Sequence, residues 1–238
     1  MKSIYNDIKL AKSTGTTEEE LKKLFSLEEE SVQSVVLKNK NFSENMQISL
    51  ATDETTPLHI MYILYKSDYV IVRNCLAANK NCPLEIIKLF FENKDALMGV
   101  ASNINTPVNI IKSLLDLDNG VYQEFLSANI STPVDLLYIL HTHEDSDIRI
   151  NISGNTATPE KLLSVLASDL DIDVRCAVAG NRKSPKNVLK KLLEDNHPIS
   201  EIAKQNIKDR RTEKEINGDL EKLLDTDLPS LNEEFMFI

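Results

Sequence analysis

Tryptophan is absent from this chain of 238 residues, glycine occurs six times and cysteine three times. So few glycines leave little material for a phosphate-cradling loop, and no P-loop, dinucleotide fingerprint, GxSxG or HExxH stretch is found. Cys75, Cys82 and Cys176 are odd in number and form no CxxC pair, which indicates neither a disulfide framework nor a zinc site. Long apolar runs are missing too. IIKLFF at Ile86 to Phe91 falls far short of the roughly 18 residues a membrane span requires, and Met1 to Leu10 lacks the apolar core of a signal peptide. The expectation is a cytoplasmic protein with no membrane contact. Basic charge is scarce, 27 Lys and Arg against 37 Asp and Glu, which disfavours a binder of the phosphate backbone.

What the chain does contain is repetition. Pro57, Pro83, Pro107, Pro133, Pro159 and Pro185 stand 26, 24, 26, 26 and 26 residues apart. Four residues before each lies Asp53, Asn79, Asn103, Asn129, Asn155 or Asn181, and immediately before it Thr56, Cys82, Thr106, Thr132, Thr158 or Ser184. Thr or Ser before Pro reads as a helix start, with the hydroxyl capping a backbone N–H and proline at the first helical position. Three, four and seven residues after each proline the side chains are apolar, as in Ile86, Ile87 and Phe90, which is one stripe of a helix.

A second apolar segment precedes each Asn: VRNCLAAN, ALMGVASN, YQEFLSAN, IRINISGN and VRCAVAGN. Ala78, Ser102, Ala128, Gly154 and Gly180 put a small residue just before the Asn, where close approach of neighbouring backbone is expected. The Asn suits a left-handed C-terminal position or a cap of the following turn. The frame extends to VQSVVLKN and ISEIAKQN, while residues 40–56 form a degenerate unit. The chain therefore reads as all-α, an α-solenoid of about eight two-helix units of roughly 26 residues over 1–206.

The N-x-x-T-P turn, the paired leucines and the D-x-D-x-x-V-R-x-x-V-A-x-N half resemble the leucine-rich repeat variant family, over about Thr16 to Asn206. That resemblance implies short HEAT-like repeats in which a helix packs on a shorter, often 3₁₀-type helix. Some members carry a cysteine-ligated iron–sulfur cluster at the N-terminus; with no cysteine before Cys75, it does not transfer, and no cofactor is expected.

Function in such an array lies along columns of equivalent positions. Six residues before each Asn stand Gln33, Arg73, Leu97, Gln123, Arg149 and Arg175. Arg73, Arg149 and Arg175 are candidates to read an acidic partner; the structural alternative pairs Arg149 and Arg175 with Asp145, Asp147, Asp169 and Asp171. Tyr62 and Tyr138, five residues after their prolines, are candidate interface aromatics on an otherwise solvated face. Asp169, Asp171 and Asp173 have calcium-loop spacing, but Val174 stands where that loop needs Gly, and His141 and His143, two apart, fall on different sides of a helix and share a metal only if the loop is extended.

These readings point to a non-catalytic module that binds another protein, as an adaptor, inhibitor or immunity-type protein. The alternative is a nucleic-acid-binding protein similar to the helical-repeat DNA glycosylases, which the acidic balance and the absence of Trp disfavour. After Asn206 the frame ends. Ile216, Leu220, Leu223 and Leu224 have helical spacing and suggest a capping helix over 207–226, with an acidic and apolar tail over 227–238. Phe235 and Phe237 in that tail are candidates for partner binding or self-association.

Overall fold

The computed structural model describes residues 2–117, 120–195 and 198–210, and among them every regular element is a helix. Two compact units comprise residues 1–157 and 158–238. The first unit opens with α1 (Lys2–Lys12), the pair α2 (Glu18–Phe25) and α3 (Glu30–Val36), and a single helix α4 (Glu44–Thr52). Four regular pairs follow: α5 (Leu58–Leu64) with α6 (Val70–Ala78), α7 (Leu84–Glu92) with α8 (Leu97–Ser102), α9 (Val108–Asp116) with α10 (Val121–Ala128), and α11 (Val134–Leu140) with α12 (Ser146–Gly154). The second unit holds α13 (Glu160–Leu166), α14 (Ile172–Gly180), α15 (Lys186–Leu192) and a helix over 199–210, α16. Ile216, Leu220, Leu223, Leu224 and the proposed cap and tail beyond residue 210 lie outside the described residues, apart from 207–210, which continue α16.

A helix begins one residue after each of the six prolines. The apolar stripe faces inward as its spacing requires: Ile86, Ile87 and Phe90 are fully buried, and so in effect are Ile60, Met61 and Leu64. Each such side chain contributes about 1.5–3 kcal/mol on leaving water, and in the first unit the buried side chains from Ala11 to Leu136 join in one continuous core. Second helices stack on second helices, α6 on α4, α8 on α6, α10 on α8 and α12 on α10. The resemblance implied a 3₁₀-type second helix; α6, α10, α12 and α14 are α-helices of eight or nine residues.

The residue before proline does not cap the helix that follows. No side chain caps α5, α7, α9 or α11, and the Thr hydroxyl points backward. Thr56 donates to Leu50 O at 2.6 Å, Thr106 to Val100 O at 2.6 Å and Thr132 to Leu126 O at 2.7 Å, each closing a carbonyl near the end of the preceding helix. Where Thr17 stands in place of proline, a capping box with Glu20 secures the start instead. The genuine N-caps of second helices come from the acidic loops: Asp145 accepts from Asp147 N, and Asp171 from Asp173 N.

The Asn residues hold the repeats together. Each is extended rather than left-handed, with φ −62° at Asn79 and −75° at Asn103. Asn103 Nδ2 donates to Ala77 O at 2.6 Å and Asn79 O at 2.8 Å, both in the preceding repeat, while its Oδ1 accepts from Asn105 N. Asn79, Asn129 and Asn155 repeat the pattern in the first unit, and Asn206 does so within the second. The small residue that permits this reach lies two before the Asn, not one before it. Ala51, Ala77, Ala101, Ser127 and Ser153 are fully buried there, whereas Ala78, Ala128 and Gly154 are exposed and nothing lies within 4 Å of a Cβ built on Gly154. The close approach is made by Gly99 in α8, where a Cβ would collide with Asn74 O and Ala77 Cβ of α6.

Two irregular units break the pattern differently. The unit of 24 residues joins α7 to α8 by a short loop in which Lys94 and Ala96 take φ of 53° and 48°, left-handed conformations that cost roughly 1–2 kcal/mol each outside glycine. The degenerate unit is reduced to α4 alone. Asp53 stands at its Asn position and, as a carboxylate, cannot donate; it accepts from Thr55 N and Oγ1, which hold its carboxyl below the ordinary range.

Candidate binding surface

The basic column is built into the scaffold. Arg73 on α6 donates through Nε and Nη2 to Asp95 at 2.6 and 3.2 Å, and through Nη1 to Ser67 O. Arg175 on α14 grips Asp195 in the same way, Nε to Oδ2 at 2.7 Å, and reaches Asp169 O and Leu170 O. The carboxylate thus comes from the loop of the following repeat, and the acidic loop named from the sequence gives main-chain carbonyls instead. Arg149 likewise donates to His143 O and Glu144 O. Side chains of Arg73 and Arg175 are only 17% and 18% exposed, too little to leave a planar fork free for a partner. Gln33 and Leu97 in the same column are buried, Gln33 donating to Phe25 O.

The tyrosines lie where the helical spacing puts them. Tyr62 on α5 and Tyr138 on α11 are 43% and 39% exposed, and Tyr138 makes an edge contact with His141, whose Nδ1 lies 2.6 Å from Tyr138 O. They have company that the sequence reading missed. The first residue of the first helix in each of the four regular pairs, Leu58, Leu84, Val108 and Val134, is 41–56% exposed. Four residues on, one helical turn, come Tyr62, Lys88, Lys112 and Tyr138, so each pair shares a side of its helix. The signal was present in the apolar residue directly after four of the prolines, but it falls outside the core stripe and was passed over.

Beside Tyr62 the degenerate unit opens a cleft of about 570 Å³, lined by α5 and its following loop, by Gln47 of α4 and by the segment Leu37 to Phe42. Phe42 and Leu64 are buried in its wall, and Tyr62, Ile63 and Tyr69 present partly exposed surface. Gln47 Oε1 accepts from Ser67 Oγ at 2.7 Å.

Other candidate chemistry does not assemble. Asp169 Oδ1 accepts from Asp171 N, and Asp171 caps α14; His143 Nδ1 accepts from Asp145 N. Among the described residues no three His, Cys, Asp or Glu side chains are grouped to hold a metal ion, and no helix is long and apolar enough to cross a membrane. Burial pushes the Cys82 thiol up to about 12 and raises Cys75 and Cys176 as well, so none is an activated nucleophile. Phe235 and Phe237 lie outside the described residues.

No family model and no curated protein matches the chain. A solved structure described as "a leucine-rich repeat variant with a novel repetitive protein structural motif" is similar at 14% identity, with a TM-score of 0.33, over 75% of this chain and 87% of that one. The chain has an all-helical repeat fold of the kind that suits a binding or scaffold module.

Proposed function

We propose that the chain is a non-catalytic, cytoplasmic protein-interaction module, of adaptor, inhibitor or immunity type, that holds another protein against its proline-led helices. The observation that carries this reading is the recurrence of exposed apolar residues at one equivalent position in four successive repeats, Leu58, Leu84, Val108 and Val134, with Tyr62 and Tyr138 one turn on. Scattered exposed apolar residues are ordinary on a protein surface, but recurrence in register is what a partner spanning several repeats would use. The acidic balance of the chain, −10 overall, supports a protein partner over a nucleic acid.

The test is affinity purification with the full chain and with a variant carrying Leu58→Asp, Leu84→Asp, Val108→Asp and Val134→Asp. Proteins captured by the native chain should be lost by the variant at unchanged melting temperature. Equal capture by both, or retention of a DNA duplex at low salt by the native chain, would reject the reading.

A further inference from the structure

The cleft beside Tyr62 lies at a break in the Asn ladder. In the regular repeats of the first unit, the carbonyl two residues before the Asn and that of the Asn itself each accept from the next Asn side chain, as Ala77 O and Asn79 O do from Asn103. At the end of α3 the corresponding carbonyls are Leu37 O and Asn39 O. The next residue at the Asn position of the repeat is Asp53, whose carboxylate cannot donate; Asn39 O accepts from Phe42 N, and among the described residues no side chain donates to Leu37 O or Asn39 O. Leu37 also replaces the Ala or Ser that admits an incoming Asn elsewhere. Both ends of the rung have therefore changed together, and Leu37 and Asn39 line the cleft instead of a repeat interface.

The charge around this opening runs against that of the chain. Lys38, Lys40 and Lys66 line it, all exposed and, among the described residues, in no ion pair, with Asp68 the one acidic side chain of the lining. Three ammonium groups against one carboxylate, above an apolar floor of Ile63 and two tyrosines, form a complementary surface for negative charge joined to an apolar anchor. A volume of about 570 Å³ accommodates a few side chains, not a folded domain.

We propose that this cleft receives an extended acidic peptide segment bearing an aromatic or large aliphatic side chain, whose main-chain or amide N–H groups supply the missing donors to Leu37 O and Asn39 O. The proposal rests on the reading of the chain as a protein-binding module and names the chemistry of one segment that module takes.

A library of random twelve-residue peptides, displayed and selected on the immobilised full chain, tests it. The enriched peptides, synthesised with a fluorophore, are then titrated by anisotropy against the native chain and against Lys38→Glu/Lys40→Glu/Lys66→Glu. Acidic sequences with an aromatic or aliphatic anchor should be enriched, should bind more weakly as salt rises, and should lose about tenfold or more in affinity to the charge-reversed chain. Should that chain melt early, Lys38→Gln/Lys40→Gln/Lys66→Gln takes its place. Neutral or basic peptides, no enrichment, affinity indifferent to the lysines, or an oligonucleotide bound through the same lysines with no peptide enriched would overturn it. Leu84→Asp/Val108→Asp serves as control, since these residues lie outside the cleft: peptide affinity reads the cleft, whereas capture of whole proteins by the control chain reads the function.

Discussion

A single Asn side chain does three things in this protein: it ends a helix, shapes the turn that follows and ties that turn to the previous repeat. Asn103 is fully buried and makes two donor bonds and one acceptor bond. Asn103→Ala leaves Ala77 O and Asn79 O without that donor, and at about 1–3 kcal/mol for stranded buried groups the unfolding free energy should fall by roughly 2–3 kcal/mol, read from the urea midpoint. Asn109→Ala, on an exposed face, should change it by less than about 0.5 kcal/mol. Cys82 offers a second test. It stands where Thr106 and Thr132 donate to the carbonyl six residues earlier, and its thiol is held near 12 by burial. A raised folded pKa means the native state keeps a proton that the unfolded chain gives up near 9, so the stability contribution is complete below that pH and is lost between about 9 and 12. Cys82→Thr should remove that alkaline loss and add roughly 1 kcal/mol through a new bond to Leu76 O. Chemical denaturation of both chains at pH 8 and pH 10 measures it; a native chain and a variant with the same pH slope would refute the assignment.

At the scale of the element, packing of second helix on second helix decides which substitutions the array tolerates. Gly99 lets α8 lie against Asn74 O and Ala77 of α6, so Gly99→Ala should destabilise by about 1–3 kcal/mol, the usual range for overpacking. Gly154 in α12 has open space around it, and Gly154→Ala should stabilise by roughly 0.5–1 kcal/mol through helix propensity alone. Thermal melts of the two variants should move in opposite directions. The helices themselves were legible in the sequence, because proline spacing and a 3.6-residue stripe are local signals and Ile86, Ile87 and Phe90 leave one face to bury. What was not legible is the direction in which polar groups reach. Asn103 reaching 26 residues back to Ala77 O and Arg73 reaching forward to Asp95 depend on how repeats stack, which no single repeat encodes, and Thr106 turning back to Val100 O depends on the path of the turn between them. The same blindness put the small residue one position late and left Asp195 out of the carboxylates expected for Arg175.

At the scale of the molecule, regularity and its one large lapse divide the labour. The regular repeats present Leu58, Leu84, Val108 and Val134 in register, and the compressed unit around α4 leaves the lysine-rimmed cleft beside the first of them. The sequence marked that unit as degenerate, but a cleft is the space left by a helix that is not there, and such a space has no residues of its own to read. A protein partner lying along the first turns of the proline-led helices would shield their main-chain amides from solvent. Hydrogen–deuterium exchange of the full chain, alone and with a captured partner, tests this most directly. Exchange should slow at the starts of α5, α7, α9 and α11 together, with α6, α10 and α12 unchanged; protection confined to the second helices, or to a single repeat, would contradict binding along this face.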